Sequence, residues 1–159
     1  WMHHRWMLLL HVAYGLILAV AFVVNITIVP LENLRGGYDW TDSSIFGWPQ
    51  VAERVEALKQ RHPVSFVATS RYTTAAQLGF AMHDPDVTVI AARPDEYDYW
   101  FDPAAHKGED AFIVSDPTLG LSEIEGRFDT ITPLESVPFS RFGVTIYAPT
   151  IYLGTNFHG

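Results

Sequence analysis

One stretch limits this chain more than any other: residues 6–30, opening on Trp6 and closing on Pro30, contain no Asp, Glu, Lys or Arg. The run is 25 residues long, and a helix needs about 20 to cross the hydrocarbon core of a bilayer, so it spans with room for tilt. Fourteen of its residues are Leu, Ile, Val or Phe, which together favour the bilayer by about 4–8 kcal/mol. His11 and Asn25 do not cancel that. A cleaved signal peptide has a shorter apolar region, typically about 7–15 residues, ending at a small-residue site. Ala19-Val20-Ala21 imitates such a site, but the apolar run passes straight through it. A buried core helix, apolar on all sides, would need a much larger protein around it.

His3, His4 and Arg5 precede the run and Glu32 opens the acidic side that follows, so the excess of positive charge places the soluble part outside the cytoplasm. Trp1 and Trp6 fall at the near interface, where amphipathic rings are favoured. His3 and His4 lack a third donor nearby and read as a solvated flank. A chain that opens on Trp1 reads as a piece of a longer protein. The expected division is an anchor with its flank over 1–30, a linker over 31–46 and an α/β domain over 47–159.

The formal net charge of −8 would be repelled by phosphate backbones, so nucleic acid is not an expected partner. With 0 cysteines there is no disulfide framework, thiolate metal site or cysteine nucleophile. The connection carries Gly36-Gly37, Asp39, Asp42, Ser43 and Ser44, a composition suited to a linker or a short docking segment. Trp48-Pro49 then starts an amphipathic helix to about Arg61, with Val51, Val55 and Leu58 on one face. Val64 to Ala68 reads as a strand. Ser70 and Thr73 are candidate N-caps for a second helix to about Met82. Val87 to Ile90 and Ala111 to Val114 complete three short apolar runs, read as buried parallel strands joined by right-handed crossovers. Residues 128–132, 137–142 and 144–153 read as antiparallel edge strands, kept from the centre by Pro133, Pro138 and Pro149. The expected fold is a small Rossmann-like three-layer α/β domain with antiparallel C-terminal strands.

No G-x-G-x-x-G and no P-loop is present, and serine-hydrolase and zinc-protease signatures are missing, so no cofactor is identified. Two local constellations remain. In Ser70-Arg71-Tyr72-Thr73-Thr74 a strand gives way to a helix, where free N–H groups, hydroxyls and a guanidinium gather around a phosphate. A plain helix start with Arg71 in solvent fits the same residues. The second is Asp95-Glu96-Tyr97-Asp98-Tyr99-Trp100-Phe101-Asp102, beyond the second strand. Its aromatics suit the face of a sugar and its carboxylates suit hydroxyls or a divalent cation. An acidic loop docking its aromatics on its own core or on a partner domain fits equally. His62, His83, His106 and His158 are scattered in expected loops.

Gly47-Trp48, the run from Phe66 through Arg71-Tyr72-Thr73-Thr74 to Phe80, Glu96-Tyr97-Asp98-Tyr99-Trp100, and the run from Gly108 to Asp116 carry a resemblance. Together they look like the extracytoplasmic C-terminal domain of bacterial polyprenol-phosphate-dependent membrane glycosyltransferases, the GT-C superfamily of protein mannosyltransferases and aminoarabinose transferases. Residues 141–153 are similar to that domain's terminal strands, and the apolar run matches the last membrane helix. Asp95-Glu96 stands where the family more often has an Asn-Gln pair, and Ala81-Met82 where it tends to have an aromatic.

The resemblance implies an enzyme of the bacterial inner membrane, about a dozen helices in all, that moves a sugar from a polyprenyl-phosphate donor to a lipid, glycan or protein acceptor on the outer face. It implies further that the catalytic carboxylate belongs to a membrane region this sequence does not contain, so that no catalytic residue is expected here and the segment alone is inactive. Donor or substrate contacts are expected from Arg71, Tyr72, Thr73, Thr74, Tyr97, Asp98 and Trp100, and the implied partners are the membrane, the enzyme's remaining helices and the lipid-phosphate donor. The alternative is a single-span anchored module that binds a sugar or a protein without catalysis. A soluble hydrolase ranks last, for want of any nucleophile and base arrangement.

Overall fold

The computed structural model describes residues 2–38, 44–91, 93–118 and 120–159. The interface position expected for Trp1, the side chain of His3, and Asp39, Asp42 and Ser43 of the connection lie outside the described residues.

The apolar run is helical as far as Thr27: α1 spans Met2–Thr27. Its stretch His4–Thr27 is long and apolar enough to cross a membrane, and none of its apolar window is buried against the rest of the chain. Within this chain it is therefore not a core helix, and a helix apolar on every side and packed on nothing has no stable place in water. At the exit the Asn25 carboxamide accepts a hydrogen bond from Leu31 N at 2.8 Å. The polar residue in the run thus satisfies backbone where the helix ends.

A short helix, α2 (Leu31–Leu34), shows that the connection docks. Asn33 is 2% exposed and its Nδ2 donates to the carbonyls of Thr145 and Ile146, each at 3.4 Å. Val29, Phe46 and Ile146 form a small apolar cluster beside it. Helix α3 (Trp48–Lys59) has Pro49 in its first turn and buries Trp48, Val51, Ala52, Val55 and Leu58, the face its spacing dictates. Gly47 precedes it at φ +85°, and a Cβ there would lie 2.7 Å from that of Phe139, so both conformation and space demand glycine. Helix α4 spans Tyr72–Met82.

The main sheet has five strands in the order β2-β1-β3-β7-β4. These are β1 (Phe66–Thr69), β2 (Thr88–Val89), β3 (Ala111–Ser115), β4 (Phe128–Ser136) and β7 (Thr150–Phe157). As the apolar runs imply, β1 is parallel to both β2 and β3; β7 is antiparallel to β3 and to β4. The expectation of one edge strand over 144–153 is corrected. Pro149 divides it into β6 (Val144–Tyr147), which pairs with β5 (Phe139–Arg141) in a separate two-stranded sheet, and β7, which lies inside the main sheet. Of the C-terminal strands only β4 is an edge of the main sheet, opposite β2, and its register shifts between Pro133 and Glu135, the irregularity a residue without an N–H imposes.

Registers such as Val67↔Phe112↔Leu153 and Ala68↔Ile113↔Tyr152 send alternate side chains to opposite faces. On one face Val67, Phe112, Val114 and Ile151 pack with the buried sides of α3 and α4. On the other, Phe66, Ala68, Ile113, Ile124, Phe128 and Phe157 form a second cluster with Phe101, Leu121 and Tyr152. Its covering segments include the 3₁₀ turns Pro103–His106 and Glu125–Arg127, whereas the turn Glu96–Tyr99 packs Tyr97 against the first cluster. The molecule is a mixed α/β domain with an apolar N-terminal helix.

Candidate functional site at the carboxyl ends of the parallel strands

The chain leaves β1 through α4 to the outer strand β2 and returns past β1 to β3. The crevice between β1 and β3, at their carboxyl ends, is where open α/β sheets place ligands. Ser70 and Arg71 follow β1 there, and Asp116 follows β3. Asp116 is 1% exposed. Its Oδ1 accepts from the Thr118 backbone N–H at 2.8 Å and from the Thr118 hydroxyl, and its Oδ2 accepts from the Tyr147 hydroxyl at 3.3 Å. The buried Thr74 hydroxyl also hydrogen-bonds Tyr147. Tyr38, just past Gly36-Gly37, lies within electrostatic reach of both Asp116 and Arg71.

This group faces the side on which the chain leaves α1. Tyr147 follows Ile146, which packs on Val29, and Tyr38 follows the docked α2. Of the four residues expected at the helix start, Arg71 and Thr74 belong to the group, Thr73 is half-buried on the first turn of α4, and Tyr72 is exposed. Arg71, expected in solvent on the plain-helix reading, is half-buried. Neither Ser70 nor Thr73 caps α4: Arg71 occupies the N-cap position with no side-chain cap, and Ser70, just past the end of β1, is buried. The Ser70 Oγ is buried with no hydrogen-bond partner among the described residues, a buried polar atom of the kind that calls for an explanation.

Burial, then the Asp116 charge, push the Tyr38 hydroxyl up to about 12, against the opposing pull of Arg71. Burial and the same carboxylate raise Tyr147 as well. A raised folded-state value means stability that is whole below the ordinary tyrosine value near 10 and lost as pH climbs toward 12. Tyr38 is 42% exposed, so solvent screens part of that contribution. Titration of tyrosinate absorbance is expected to show a late-ionising class accompanied by loss of near-ultraviolet circular dichroism between about pH 10 and 12. Ionisation of all tyrosines near 10 with the fold intact would contradict this electrostatic picture.

The aromatic-acidic segment lies elsewhere. It begins at the carboxyl end of β2 but folds back along that edge. Tyr97, Trp100, Phe101 and His106 line a cavity of about 500 Å³ with Lys59, Asp84, Asp86 and Thr88, near the amino end of β1. Tyr97 and Trp100 stand perpendicular, centroids 5.5 Å apart, with Trp100 74% exposed. The carboxylates are used locally. Asp95 accepts from Tyr97 N at 2.9 Å and Asp98 from Asp95 N at 2.8 Å, a reciprocal cap; Asp102 caps the next turn through Ala104 N at 3.0 Å. Partial burial raises Asp95, with the negative neighbours Asp98 and Glu96 adding to it and the Tyr97 bond opposing. Among the described residues no three His, Asp or Glu side chains converge on a metal position.

Asp98 thus caps the turn, and Tyr97 and Trp100 line the cavity. The cavity's own carboxylates are Asp84 and Asp86. Comparisons with protein-family models, with curated proteins and with solved structures find no match.

Proposed function

We propose that this chain is the C-terminal part of an integral membrane glycosyltransferase that moves a sugar from a polyprenyl-phosphate donor to a lipid, glycan or protein acceptor. In this reading α1 is the last of several membrane helices, and the domain is a Rossmann-like three-layer unit whose third layer is the pair of 3₁₀ turns over the second cluster. It roofs the active site on the extracytoplasmic side of the bacterial inner membrane, and the catalytic carboxylate belongs to another part of the enzyme. The observation that carries the reading is the grouping of Arg71, Thr74, Tyr38, Asp116 and Tyr147 on the side of the domain nearest the end of α1. A donor headgroup at the membrane surface would meet the Arg71 guanidinium and the Ser70 hydroxyl there. Asp116 opposes a bare phosphate and suits the hydroxyls of the attached sugar. The cavity at Tyr97 and Trp100, near the other end of β1, offers a place for a distal part of an extended acceptor glycan.

Two experiments test this. The reading frame upstream of Trp1 should encode further apolar spans and an acidic first outer loop. In the complete enzyme Arg71→Ala should raise the donor KM about tenfold or more with kcat little changed, the mark of a lost charged contact made equally in ground and transition states. Unaltered donor kinetics would remove Arg71 from the donor site. A start codon immediately before Trp1 would favour the second reading, a single-span anchored module that binds a saccharide through the Tyr97–Trp100 cavity without catalysis.

A further inference from the structure

The β5–β6 hairpin is tied to the end of the apolar helix. Arg141 Nη1 donates to the carbonyls of Thr27 and Ile28 at 3.1 and 2.6 Å, groups that the end of α1 leaves without helical partners. The same guanidinium lies over the rings of Phe46 and Phe139, 5.4 and 5.2 Å from their centroids, and those rings stack on one another. The hairpin is thereby held at the height where α1 stops.

The next residue is Phe142. It and Gly143 form the two-residue turn, at φ +52° and +77°. Both central positions of such a turn call for the left-handed region, which Asn and Gly occupy readily and a bulky side chain only at a cost. Phe142 is nonetheless 73% exposed, so packing on its own domain does not offset that cost. The 24 residues of His4–Thr27 extend about 36 Å at about 1.5 Å each. That covers a hydrocarbon core of about 30 Å and leaves Thr27 and Ile28 at its boundary.

We propose that the β5–β6 turn is a second membrane contact, with the Phe142 ring buried at the boundary between lipid headgroups and acyl chains. Aromatic side chains are favoured at that level, and the occupant is assigned by continuity with the spanning helix. The inference rests on the reading of α1 as a membrane span and is independent of the glycosyltransferase assignment. Two attachments, one through α1 and one through Phe142, restrain the tilt of the domain and keep the Asp116 side toward the bilayer.

Because the chain has 0 cysteines, single-cysteine spin labels report without background. Leu16→Cys in the middle of the span, Phe142→Cys at the turn and Tyr99→Cys on the acidic turn are each labelled in the full chain, reconstituted in phosphatidylcholine–phosphatidylglycerol nanodiscs. Collision with oxygen and with a water-soluble nickel chelate is then measured. The label at 142 is expected to be several-fold less accessible to nickel than that at 99, and intermediate in depth between 99 and 16. Equal nickel access at 142 and 99, with 16 in lipid, would overturn the turn contact. A label at 16 that also reports water would overturn the spanning helix and the contact with it. Should the 142 variant misfold, Ser140→Cys on the same hairpin, with Phe142 in place, is expected to show nickel access reduced relative to 99, and full access there would overturn the proposal.

Discussion

Phe112→Ala is expected to remove about 3–5 kcal/mol of the domain's stability, a large part of the roughly 5–15 kcal/mol available to a domain of this kind. Phe112 is fully buried at the centre of β3, between Val67 and Leu153 across the strands and beneath α3 and α4. Its removal leaves a cavity walled by paired backbone, which does not collapse to fill it. Urea unfolding of the full chain in micelles, followed by near-ultraviolet circular dichroism, should show the loss, and the thermal midpoint should fall by more than about 10 °C. Phe80→Ala is the contrast: Phe80 is 80% exposed and its truncation should cost within about 0.5 kcal/mol. Equal effects at the two positions would mean that α4 does not present Leu78 and Ala75 to the sheet, and the placement of Arg71 and Thr74 would fall with it.

The second large effect is expected at Asp116. Asp116→Leu leaves the Tyr147 hydroxyl and the Thr118 N–H without their acceptor, and buried donors stranded in this way cost about 1–3 kcal/mol each. Asp116→Asn keeps an acceptor for Thr118 and presents an amide to the Tyr147 oxygen, so it should cost less. Both remove the charge that, after burial, holds Tyr38 and Tyr147 high. The late tyrosine class should therefore titrate lower in both variants, without returning to 10, because the burial contribution remains. A matched fall in both variants with a larger stability loss in Asp116→Leu separates charge from hydrogen bonding. An unmoved tyrosine titration would show that Asp116 is not the charge these hydroxyls sense.

Local signals sufficed where one periodicity decided the outcome. Val51, Val55 and Leu58 at helical spacing do form the buried side of α3, and the apolar runs around Val67, Val89 and Phe112 are parallel strands, because such strands bury both faces and need no alternation. The antiparallel end of the domain was harder to read. Val144 to Leu153 is apolar almost throughout, and nothing short of Pro149 marks where the chain leaves one sheet for another. The acidic segment leaves two readings open for a different reason. Carboxylates that cap 3₁₀ turns and carboxylates that bind hydroxyls have the same composition, and only the hydrogen bonds of Asp95, Asp98 and Asp102 tell them apart.

Taken alone, the amino-acid sequence determined the apolar helix, the three parallel strands and the two helices between and before them, since hydrophobic period and turn chemistry act over a few residues. The tertiary structure decided what meets at the carboxyl ends of β1 and β3. Tyr38, Thr74, Asp116 and Tyr147 are more than thirty residues from their nearest partner in some cases, and no local pattern relates them. Burial of Asp116 obliges its neighbours to supply hydrogen-bond donors, and which neighbours those are depends on the sheet order that brings β3 beside β1 and on the hairpin that carries Tyr147 back to it.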